Sequence, residues 1–500
     1  MARTTLLGAL ALLGEAAKPS DGQVDIVTDG KKIIDIRPTD AKPPEGTVVD
    51  MRGRLVTAGL INCHHHSHEG FYKGRKDNLP LELWNNYVRP LKPIEYTPRD
   101  IYLRTMIGAI EAVHSGTTTI SDDCNVAPRI QPEHVEAVFQ AYEDLGIRAL
   151  VGFTLFDRPF FRGVPFVDEE FPKELLAELD ATKMYSQADL LAFVRGLAKS
   201  RHPKEKRVGF MLAPSAPQRC TEEFLRTVRS IADAFDLPIM THVQETRLQV
   251  VTGQEWYGCT PLEYLDRIGF LKPNTQLIHA IWLKPSEIEI LARTGATAQH
   301  NPTSNLKVGS GLAPIRALID GGVNISMGTD GCGSIEGTDM QNALYLGGLL
   351  HKLRGDHSKW VGGYDSYRFA TMGGAKALGR GKDLGAIEVG RLADLTAYRL
   401  NGISFTPLND PVNQLVFSAG RSEVDMVMVD GEVILKDGKL TRVDEAKLIA
   451  EIHAAHERIG PMLTQSEKDV ERLLEPYERI YRRCQCIPIS PETYPARFDR

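Results

Sequence analysis

The feature that most constrains this chain is an apolar segment that ends in a cluster of histidines, LVTAGLINCHHHSHE at positions 55–69. Its apolar and β-branched residues predict a buried strand. Side chains on a strand alternate between two faces, so His64 and His66 share one face and His65 points to the other. Two imidazoles on one side of a strand end can supply half of a metal site. The alternative, a surface polyhistidine patch, is disfavoured by the apolar context.

Strands and helices alternate after this segment. A hydroxyl N-cap, a proline at the first helical position and an acidic first turn predict a helix from Thr97 to about His114. Thr221 begins a predicted helix that ends near Asp236, and Ser286 opens a predicted capping box. Predicted strands lie at 55–63, 117–122, 148–154, 208–213, 238–242, 276–279, 296–300 and 323–327. Eight strands that alternate with helices indicate a closed α/β fold, the (β/α)8 or TIM-type barrel.

Both ends of the chain predict short strands outside this barrel. Turn signals lie at Asp29-Gly30 near the start, and at Asp430-Gly431 and Asp437-Gly438 near the end. We therefore predict a small β-sandwich domain formed by residues 1–54 and 384–443, a barrel over 55–383, and a C-terminal helix and tail over 444–500. The N-terminal run MARTTLLGALALLGEAA resembles a signal peptide, but a first strand that pairs with the following hairpin explains it equally well and is our prediction.

Composition excludes several classes of function. Hydrophobic residues make up 42% and charged residues 25% of the chain, as in soluble globular proteins. The net charge of −6 and the absence of a basic stripe argue against a nucleic-acid partner, and no run is apolar enough to cross a membrane. Seven scattered cysteines fit the reduced thiols of a cytoplasmic protein. We expect a small-molecule substrate and a homo-oligomer, for which the tail could supply an interface.

Histidine or aspartate follows five of the eight predicted strands. In a barrel of this type the active site gathers residues from the C-terminal strand ends. These side chains are His64 and His66 on the first strand, then His242, His279, His300 and Asp330 on later ones. Imidazoles with one carboxylate suit zinc or iron(II). We therefore assign His64, His66, His242 and Asp330 as ligands of one divalent metal, with a position left for water.

Three residues around this predicted metal are expected to be catalytic. The metal lowers the pKa of its bound water toward neutrality, and Asp330 can take the proton of that water. His279 can orient the water or a developing oxyanion. Glu245 lies three residues beyond His242, which places it to carry the proton to a leaving group.

This arrangement resembles the amidohydrolase superfamily, and its ATZ/TRZ-type aminohydrolase branch in particular. The matching segments are AGLINCHHH (58–66), HVQET (242–246), LIHA (277–280), HNPTSNLKVGSG (300–311), GTDG (328–331) and LGAIEVGRLADL (384–395). The resemblance implies a single metal, with zinc favoured, and hydrolysis of a C–N bond, commonly deamination of an amino-substituted N-heterocycle. Binuclear relatives use a lysine on strand four, and the predicted strand 208–213 contains none.

Predicted substrate contacts lie on loops beyond the strand ends. They are Trp84, Ser215, Gln218, Phe161 and Asn305. Trp84 can wall a flat ring or cap the barrel. Phe161 belongs to a long connection, 156–206, that can close over substrate or anchor an outer helix. Asn305 can shape the loop after strand seven.

Two departures from relatives keep a second reaction open. Ser215 and Gln218 stand where relatives that deaminate adenosine-type thioethers often carry a histidine and a tyrosine. The alternative is hydrolysis of an amide, urea, carbamate or aryl-halide bond in a xenobiotic-like molecule at the same metal. A third interpretation, a binding scaffold without catalysis, conflicts with the full ligand set.

Overall fold

The computed structural model describes residues 3–126, 130–182 and 185–497, and a ring of eight parallel strands lies at its centre. The strands are β1 (Leu60–His65), β2 (Thr117–Cys124), β3 (Arg148–Leu155), β4 (Val208–Phe210), β5 (Ile239–Val243), β6 (Thr275–His279), β7 (Thr297–His300) and β8 (Ile325–Met327). Strands β1 to β4 pair in sequence order, as do β5 to β8. A short strand after β4, Ala213–Pro214, pairs with the end of β3.

Backbone hydrogen bonds close the two halves into a barrel. Between β4 and β5, the N–H of Leu212 donates to the carbonyl of Pro238 at 3.0 Å, and the N–H of Met240 donates to the carbonyl of Leu212 at 2.9 Å. Between β8 and β1, the N–H of Asp330 donates to the carbonyl of His64 at 2.9 Å. The predicted (β/α)8 barrel is confirmed.

The segment predicted as a single strand over 55–63 forms two strands. Arg54–Ala58 pairs with Arg3–Leu13 and with Leu395–Arg399, outside the barrel, whereas β1 begins at Leu60. Gly59 separates them, and a Cβ at this position would collide with the side chain of Thr118. The missing side chain lets the chain cross close to β2 and enter the barrel.

Both chain ends contribute to a second sheet beside the barrel. Its ten strands are Arg3–Leu13, Lys18–Pro19, Val24–Asp29, Lys32–Pro38, Thr47–Asp50, Arg54–Ala58, Leu395–Arg399, Val424–Val429, Glu432–Lys436 and Lys439–Leu440. The predicted hairpins at Asp29-Gly30, Asp430-Gly431 and Asp437-Gly438 are confirmed. The N-terminal run forms a strand in the interior of this sheet, as predicted.

Helices surround the barrel and fill the connections. The α-helices are Leu81–Tyr87, Pro98–His114, Pro132–Leu145, Val167–Glu170, Lys173–Asp180, Gln187–Ser200, Glu222–Phe235, Arg247–Tyr257, Pro261–Arg267, Pro285–Thr294, Pro302–Lys307, Ile315–Asp320, Cys332–Ile335, Met340–Leu349, Gly363–Arg368, Gly374–Ala377, Pro411–Phe417 and Glu445–Cys486. The 3₁₀ helices are Ser67–Tyr72, Phe160–Gly163, Pro217–Arg219, Leu350–Leu353, His357–Lys359, Ile403–Phe405 and Arg421–Glu423, and Phe369–Gly373 is a π-helical turn.

The predicted helix starts were right at two places and wrong at a third. Thr97 and Thr221 cap their helices as expected. The capping box predicted at Ser286 is absent, because Pro285 starts its helix one residue earlier. Lys284 is the N-cap residue, and its N–H donates to Glu287 Oε2 at 2.8 Å.

The 42-residue helix Glu445–Cys486 packs on the long connection that follows β3. Its buried residues Val470, Leu473, Tyr477 and Ile480 share one apolar cluster with Phe161. Ion pairs at the helix surface add to this contact. In the described part of the chain, no helix is both long and apolar enough to cross a membrane.

Candidate metal centre and active site

Four imidazoles and one carboxylate meet at the C-terminal ends of the barrel strands. His64 belongs to β1, with His66 just after it. His242 is the penultimate residue of β5, and His279 is the last residue of β6. The ring centroid of His64 lies 4.6 Å from that of His66 and 4.9 Å from that of His242. Asp330 follows β8, and its Oδ1 lies 3.6 Å from His64 Nε2 and 3.5 Å from His66 Nε2.

These donor atoms have the spacing that a metal requires. Ligand atoms around a tetrahedral zinc, with bonds of about 2.1 Å, lie about 3.4 Å apart. His64 gives a second indication, since both of its ring nitrogens are buried without a hydrogen-bond partner among the described residues. An unsatisfied buried imidazole is costly, and a bound cation would use its lone pair. The residues therefore fit a divalent metal.

Backbone carbonyls orient two of the imidazoles. The Nδ1–H of His66 donates to the carbonyl of Asp123 at 2.7 Å, and the Nδ1–H of His242 donates to the carbonyl of Ser215 at 2.7 Å. With the proton on Nδ1, each ring presents the lone pair of Nε2 to the centre of the barrel. Ser215 thus orients a proposed ligand through its backbone carbonyl.

The pKa values of the ligand side chains are shifted by burial and by the charges of their neighbours. Burial, reinforced by the neighbouring imidazoles, lowers the pKa of His64 well below its ordinary value and that of His242 to about 3. Burial also opposes charge on His66, but Asp330 overrides it and raises the pKa of His66. Burial would raise the pKa of Asp330, yet the imidazoles around it lower that pKa. Neutral forms are thus favoured for His64 and His242 and the ionised form for Asp330, whereas the acidic groups around His66 favour a proton there that a bound cation would displace.

His279 and Glu245 form a second group beside the ligands. His279 Nδ1 lies 2.8 Å from Asn305 Oδ1, and its Nε2 lies 3.5 Å from Glu245 Oε2 and 3.7 Å from Asp330 Oδ2. The hydroxyl of Ser310 donates to Glu245 Oε1 at 3.0 Å. Burial, followed by the charge of Asp330, raises the pKa of Glu245 well above its ordinary value. Burial and this neighbouring charge therefore favour the protonated form of Glu245.

The geometry also contains a second combination of possible ligands. His64, His66 and His242 bring one ligand atom each within 4.8 Å of one another, and so do His64, His279 and Asp330. His300, at the end of β7, lies apart from both groups and contacts His351, with 3.1 Å between their Nε2 atoms. His65 points away from the centre, as predicted, and its Nδ1 lies 3.3 Å from the carbonyl of Asp330.

The strand ends open into a cavity of about 840 Å³, counting its open mouth. Trp84, Ser215 and Gln218 line this cavity. The predicted place of Phe161 on the cavity wall is wrong, because Phe161 lies in the apolar cluster under the C-terminal helix. In the 3₁₀ turn Phe160–Gly163, the neighbouring ring of Phe160 lines the cavity instead. Asn305 lies behind His279, as its hydrogen-bond partner.

Among the cavity-lining residues that the sequence did not predict, five are titratable: Glu69, Glu82, Arg89, Arg219 and Tyr477. Burial raises the pKa of Glu69 to about 7, and its Oε2 accepts from the N–H of Gly333 at 3.1 Å. Glu69 ends the histidine-rich segment at 55–69, and Arg219 follows the predicted substrate contact Gln218, so the sequence could have indicated both positions. Tyr477 belongs to a distant helix and carried none.

A (β/α)8 barrel whose strand ends gather imidazoles and carboxylates in an open cavity defines a metal-dependent hydrolase. Residues 55–434 match the Amidohydrolase family, and the chain belongs to this family. The resemblance drawn from the motifs is confirmed.

Individual relatives are similar over most of the chain. The 5′-deoxyadenosine deaminase of Methanothermobacter thermautotrophicus is 32% identical over 431 residues, which cover 86% of this chain and 93% of that protein. The 5-methylthioadenosine/S-adenosylhomocysteine deaminase of Thermococcus kodakarensis is 33% identical over 414 residues, which cover 83% of this chain and 90% of that protein.

Solved structures of similar fold include two with zinc. An adenosine deaminase from Xanthomonas campestris with bound zinc has a TM-score of 0.81 and 27% identity, covering 92% of this chain and 98% of that chain. The atrazine chlorohydrolase of Arthrobacter aurescens TC1, complexed with zinc, has a TM-score of 0.81 and 25% identity, covering 90% of this chain and 99% of that chain.

Proposed function

We propose that this chain deaminates an amino-substituted N-heterocycle, with one divalent metal held by His64, His66, His242 and Asp330. When bound, such a metal lowers the pKa of a coordinated water, which makes hydroxide available near neutral pH. In the overall reaction a C–O bond forms at the ring carbon, the exocyclic C–N bond breaks, and ammonia leaves. Relatives that are deaminases support this choice of reaction.

The chain's own residues supply the proton transfers. Asp330 is ionised and accepts the proton of the attacking water. His279, held through Nδ1 by Asn305, keeps its Nε2 toward the reacting groups and orients them. Glu245 delivers a proton to the departing nitrogen, which would otherwise leave as an unstable anion.

The observation that carries the proposal is the position of the buried carboxyl of Glu245 beside His279 and Asp330. This carboxyl is 4% exposed, lines the same cavity as Asp330, and lies 3.5 Å from His279 Nε2. Burial, followed by the charge of Asp330, raises its pKa, which favours the protonated form that can donate a proton. An amine leaving group needs such a donor.

The alternative, cleavage of an amide, urea, carbamate or aryl-halide bond, has its own support. Ser215 and Gln218, which differ from the thioether deaminases, both line the cavity. A chlorohydrolase is among the proteins of similar structure. Chloride leaves without protonation, so Glu245 would be dispensable for aryl-halide cleavage, whereas the amine that leaves an amide, urea or carbamate would still need its proton.

The test is turnover by the metal-loaded enzyme across amino-purines, pterins, pyrimidines and triazines, with amides, ureas and chlorinated analogues alongside. Deamination releases ammonia and gives a product about one mass unit heavier. Glu245→Gln should slow it by about 10²- to 10⁴-fold at unchanged metal content. Glu205→Gln, at an exposed site, is the matched control and should leave the rate unchanged. Chloride or amine-fragment release without ammonia, or a near-normal rate in Glu245→Gln, would contradict the deamination proposal.

Three finer assignments belong to this proposal. Zinc is favoured over iron(II), supported by the zinc in the two similar structures, and metal analysis of the purified protein tests it. Trp84, Ser215 and Gln218 are proposed to contact the substrate ring. A cytoplasmic location and a homo-oligomeric state stay predictions, and sedimentation measurements would test the latter.

A further inference from the structure

Two guanidinium groups lie on the cavity wall that the catalytic residues leave free. Arg89 follows the helix Leu81–Tyr87, and Arg219 ends the 3₁₀ helix Pro217–Arg219. The guanidinium carbons of Arg89 and Arg219 lie 4.9 Å and 5.2 Å from the ring centroid of Phe160. Both cations therefore lie close to one aromatic ring that lines the cavity.

Both guanidiniums donate hydrogen bonds to neutral acceptors. Among the described residues, no carboxylate oxygen lies within 4.0 Å of Arg89 or Arg219. The Nε–H of Arg89 donates to Asn85 Oδ1 at 3.3 Å, and the Nε–H of Arg219 donates to the carbonyl of Arg158 at 3.2 Å. Glu69 and Asp123 attract Arg89 only from greater distance. The paired donors on the Nη atoms stay available to a ligand.

This arrangement is unfavourable unless an anion is present. Arg219 is only 5% exposed, and burying an unpaired charge is costly. Burial, followed by repulsion from Arg89, lowers the pKa of Arg219 to about 9. Stacking on Phe156 and Phe160 offsets part of this cost but neutralises no charge.

A third hydrogen-bond donor on the same wall comes from a separate element, the C-terminal helix. Tyr477, from the helix Glu445–Cys486, is fully buried and lines the cavity. Its hydroxyl has no hydrogen-bond partner among the described residues. Its ring centroid lies 6.1 Å from that of Phe160, and both arginines act on its electrostatic environment. A buried, unsatisfied hydroxyl beside two unpaired guanidiniums indicates a missing ligand that accepts hydrogen bonds.

We propose that Arg89, Arg219 and Tyr477 form a subsite for an oxyanion group, a carboxylate or a phosphate, carried by the substrate. This inference rests on the proposed function, since it names the substituent of the heterocycle that is hydrolysed. The two parts of the cavity then bind different parts of the substrate. Glu245 and Asp330 act on the heterocyclic ring, and the guanidiniums bind the anionic substituent. Tyr477 lies outside residues 55–434 that match the family, so the C-terminal helix contributes to the choice of substrate.

The first experiment compares matched substrates. The ring that releases ammonia in the panel is assayed in a neutral form and in forms that carry a carboxylate or a phosphate on the substituent. Wild type should favour an anionic form in kcat/KM by about 10- to 100-fold, the range expected of charge-assisted hydrogen bonds. Arg89→Gln and Arg219→Gln should lose this preference through a higher KM for the anionic form, with similar rates on the neutral form. The stronger of the two anionic forms identifies the oxyanion.

Two further variants keep this result interpretable. Tyr477→Phe removes only an unpartnered hydroxyl, so it should fold normally even if an arginine variant does not, and it should raise KM for the anionic form by about threefold or more. Arg226→Gln, at an exposed surface arginine, is the control and should behave as wild type.

The second experiment requires no turnover. Calorimetric titration of the metal-loaded protein with inorganic phosphate, and separately with acetate, should detect binding that is weakened in Arg89→Gln and Arg219→Gln but not in Arg226→Gln. If anion binding depends on the arginines but no ring compound releases ammonia, the deamination proposal is contradicted and the anion subsite is supported. Ammonia release at equal efficiency from neutral and anionic forms, with arginine and tyrosine variants indistinguishable from wild type, would overturn the subsite and leave the deamination proposal standing.

Discussion

The hydrogen bond between His279 and Asn305 separates two roles that the geometry allows for His279. His279 either positions the reacting groups, or it binds the metal together with His64 and Asp330. The Nδ1 of His279 lies 2.8 Å from Asn305 Oδ1, and both side chains are at most 2% exposed. The perturbations that distinguish the roles are Asn305→Ala, which removes the acceptor, and His279→Ala, which removes the ring.

The size of each effect follows from the burial of this pair. Asn305→Ala leaves a buried N–H without its acceptor, which costs about 1–3 kcal/mol. If that cost falls on the productive orientation of His279, kcat/KM should decrease by about 5- to 150-fold, since about 1.4 kcal/mol corresponds to a factor of ten. His279→Ala removes the orienting group itself and should lower kcat by about 10²- to 10³-fold.

The assay pairs steady-state kinetics with metal analysis of each purified variant. A positioning role predicts that both variants keep about one metal per chain. Asn274→Ala is a matched control, because Asn274 precedes β6 at the end opposite His279 and donates to the carbonyl of Leu237 at 2.8 Å. It should lower the melting temperature but not kcat/KM. Loss of metal in His279→Ala would refute the positioning role and make His279 a ligand.

Two further predictions concern the metal site and the acid stability of the fold. In Gly331→Ala the new Cβ would collide with the carboxylate of Glu69 and lie 2.9 Å from His66 Cβ, so metal affinity should fall by about 10- to 100-fold in a competition assay with a chelator. An unchanged metal affinity would contradict this prediction, because it would show that Glu69 and His66 can move away from the new Cβ without disturbing the site. Burial would raise the pKa of Asp430, but Arg148 overrides it and lowers that pKa below the ordinary 3.8. The ionised carboxylate therefore adds stability above about pH 4 that is lost as the pH falls further. Asp430→Asn should lower the melting temperature at neutral pH and flatten its decline in acid, and an unchanged acid limb would count against this account.

The barrel and its chemical centre could be predicted because they depend on local patterns. The alternation along β1 placed His64 and His66 on the same face, and the regular alternation of strands and helices placed His242, His279 and Asp330 at the same end of a barrel. These inferences need only the period of a strand and the parallel direction of the strands.

The cavity wall could not be predicted in the same way, since it depends on how distant segments pack. Phe160 and Phe161 are adjacent, and only the orientation of a 3₁₀ turn decides which ring faces the cavity. Tyr477 reaches the wall because its helix packs on the connection after β3, and no sequence period encodes that contact. Asn305 was assigned to the substrate because hydrogen-bond partners across loops are invisible in a sequence.

Backbone conformation separates the chemical part of the site from the part that selects the substrate. Gln244, His279 and Asp330 adopt left-handed φ angles of 50°, 72° and 79°, each at or just beyond a barrel strand end. Such conformations cost about 1–3 kcal/mol each and persist only where surrounding bonds hold them, as the bond from Asp330 N–H to the His64 carbonyl does. Arg219 and Tyr477 lie on helical segments, outside these strained turns. Substitutions at the strand ends should therefore lower metal affinity and kcat together. Substitutions of Arg89, Arg219 or Tyr477 should change KM and leave the metal content unchanged.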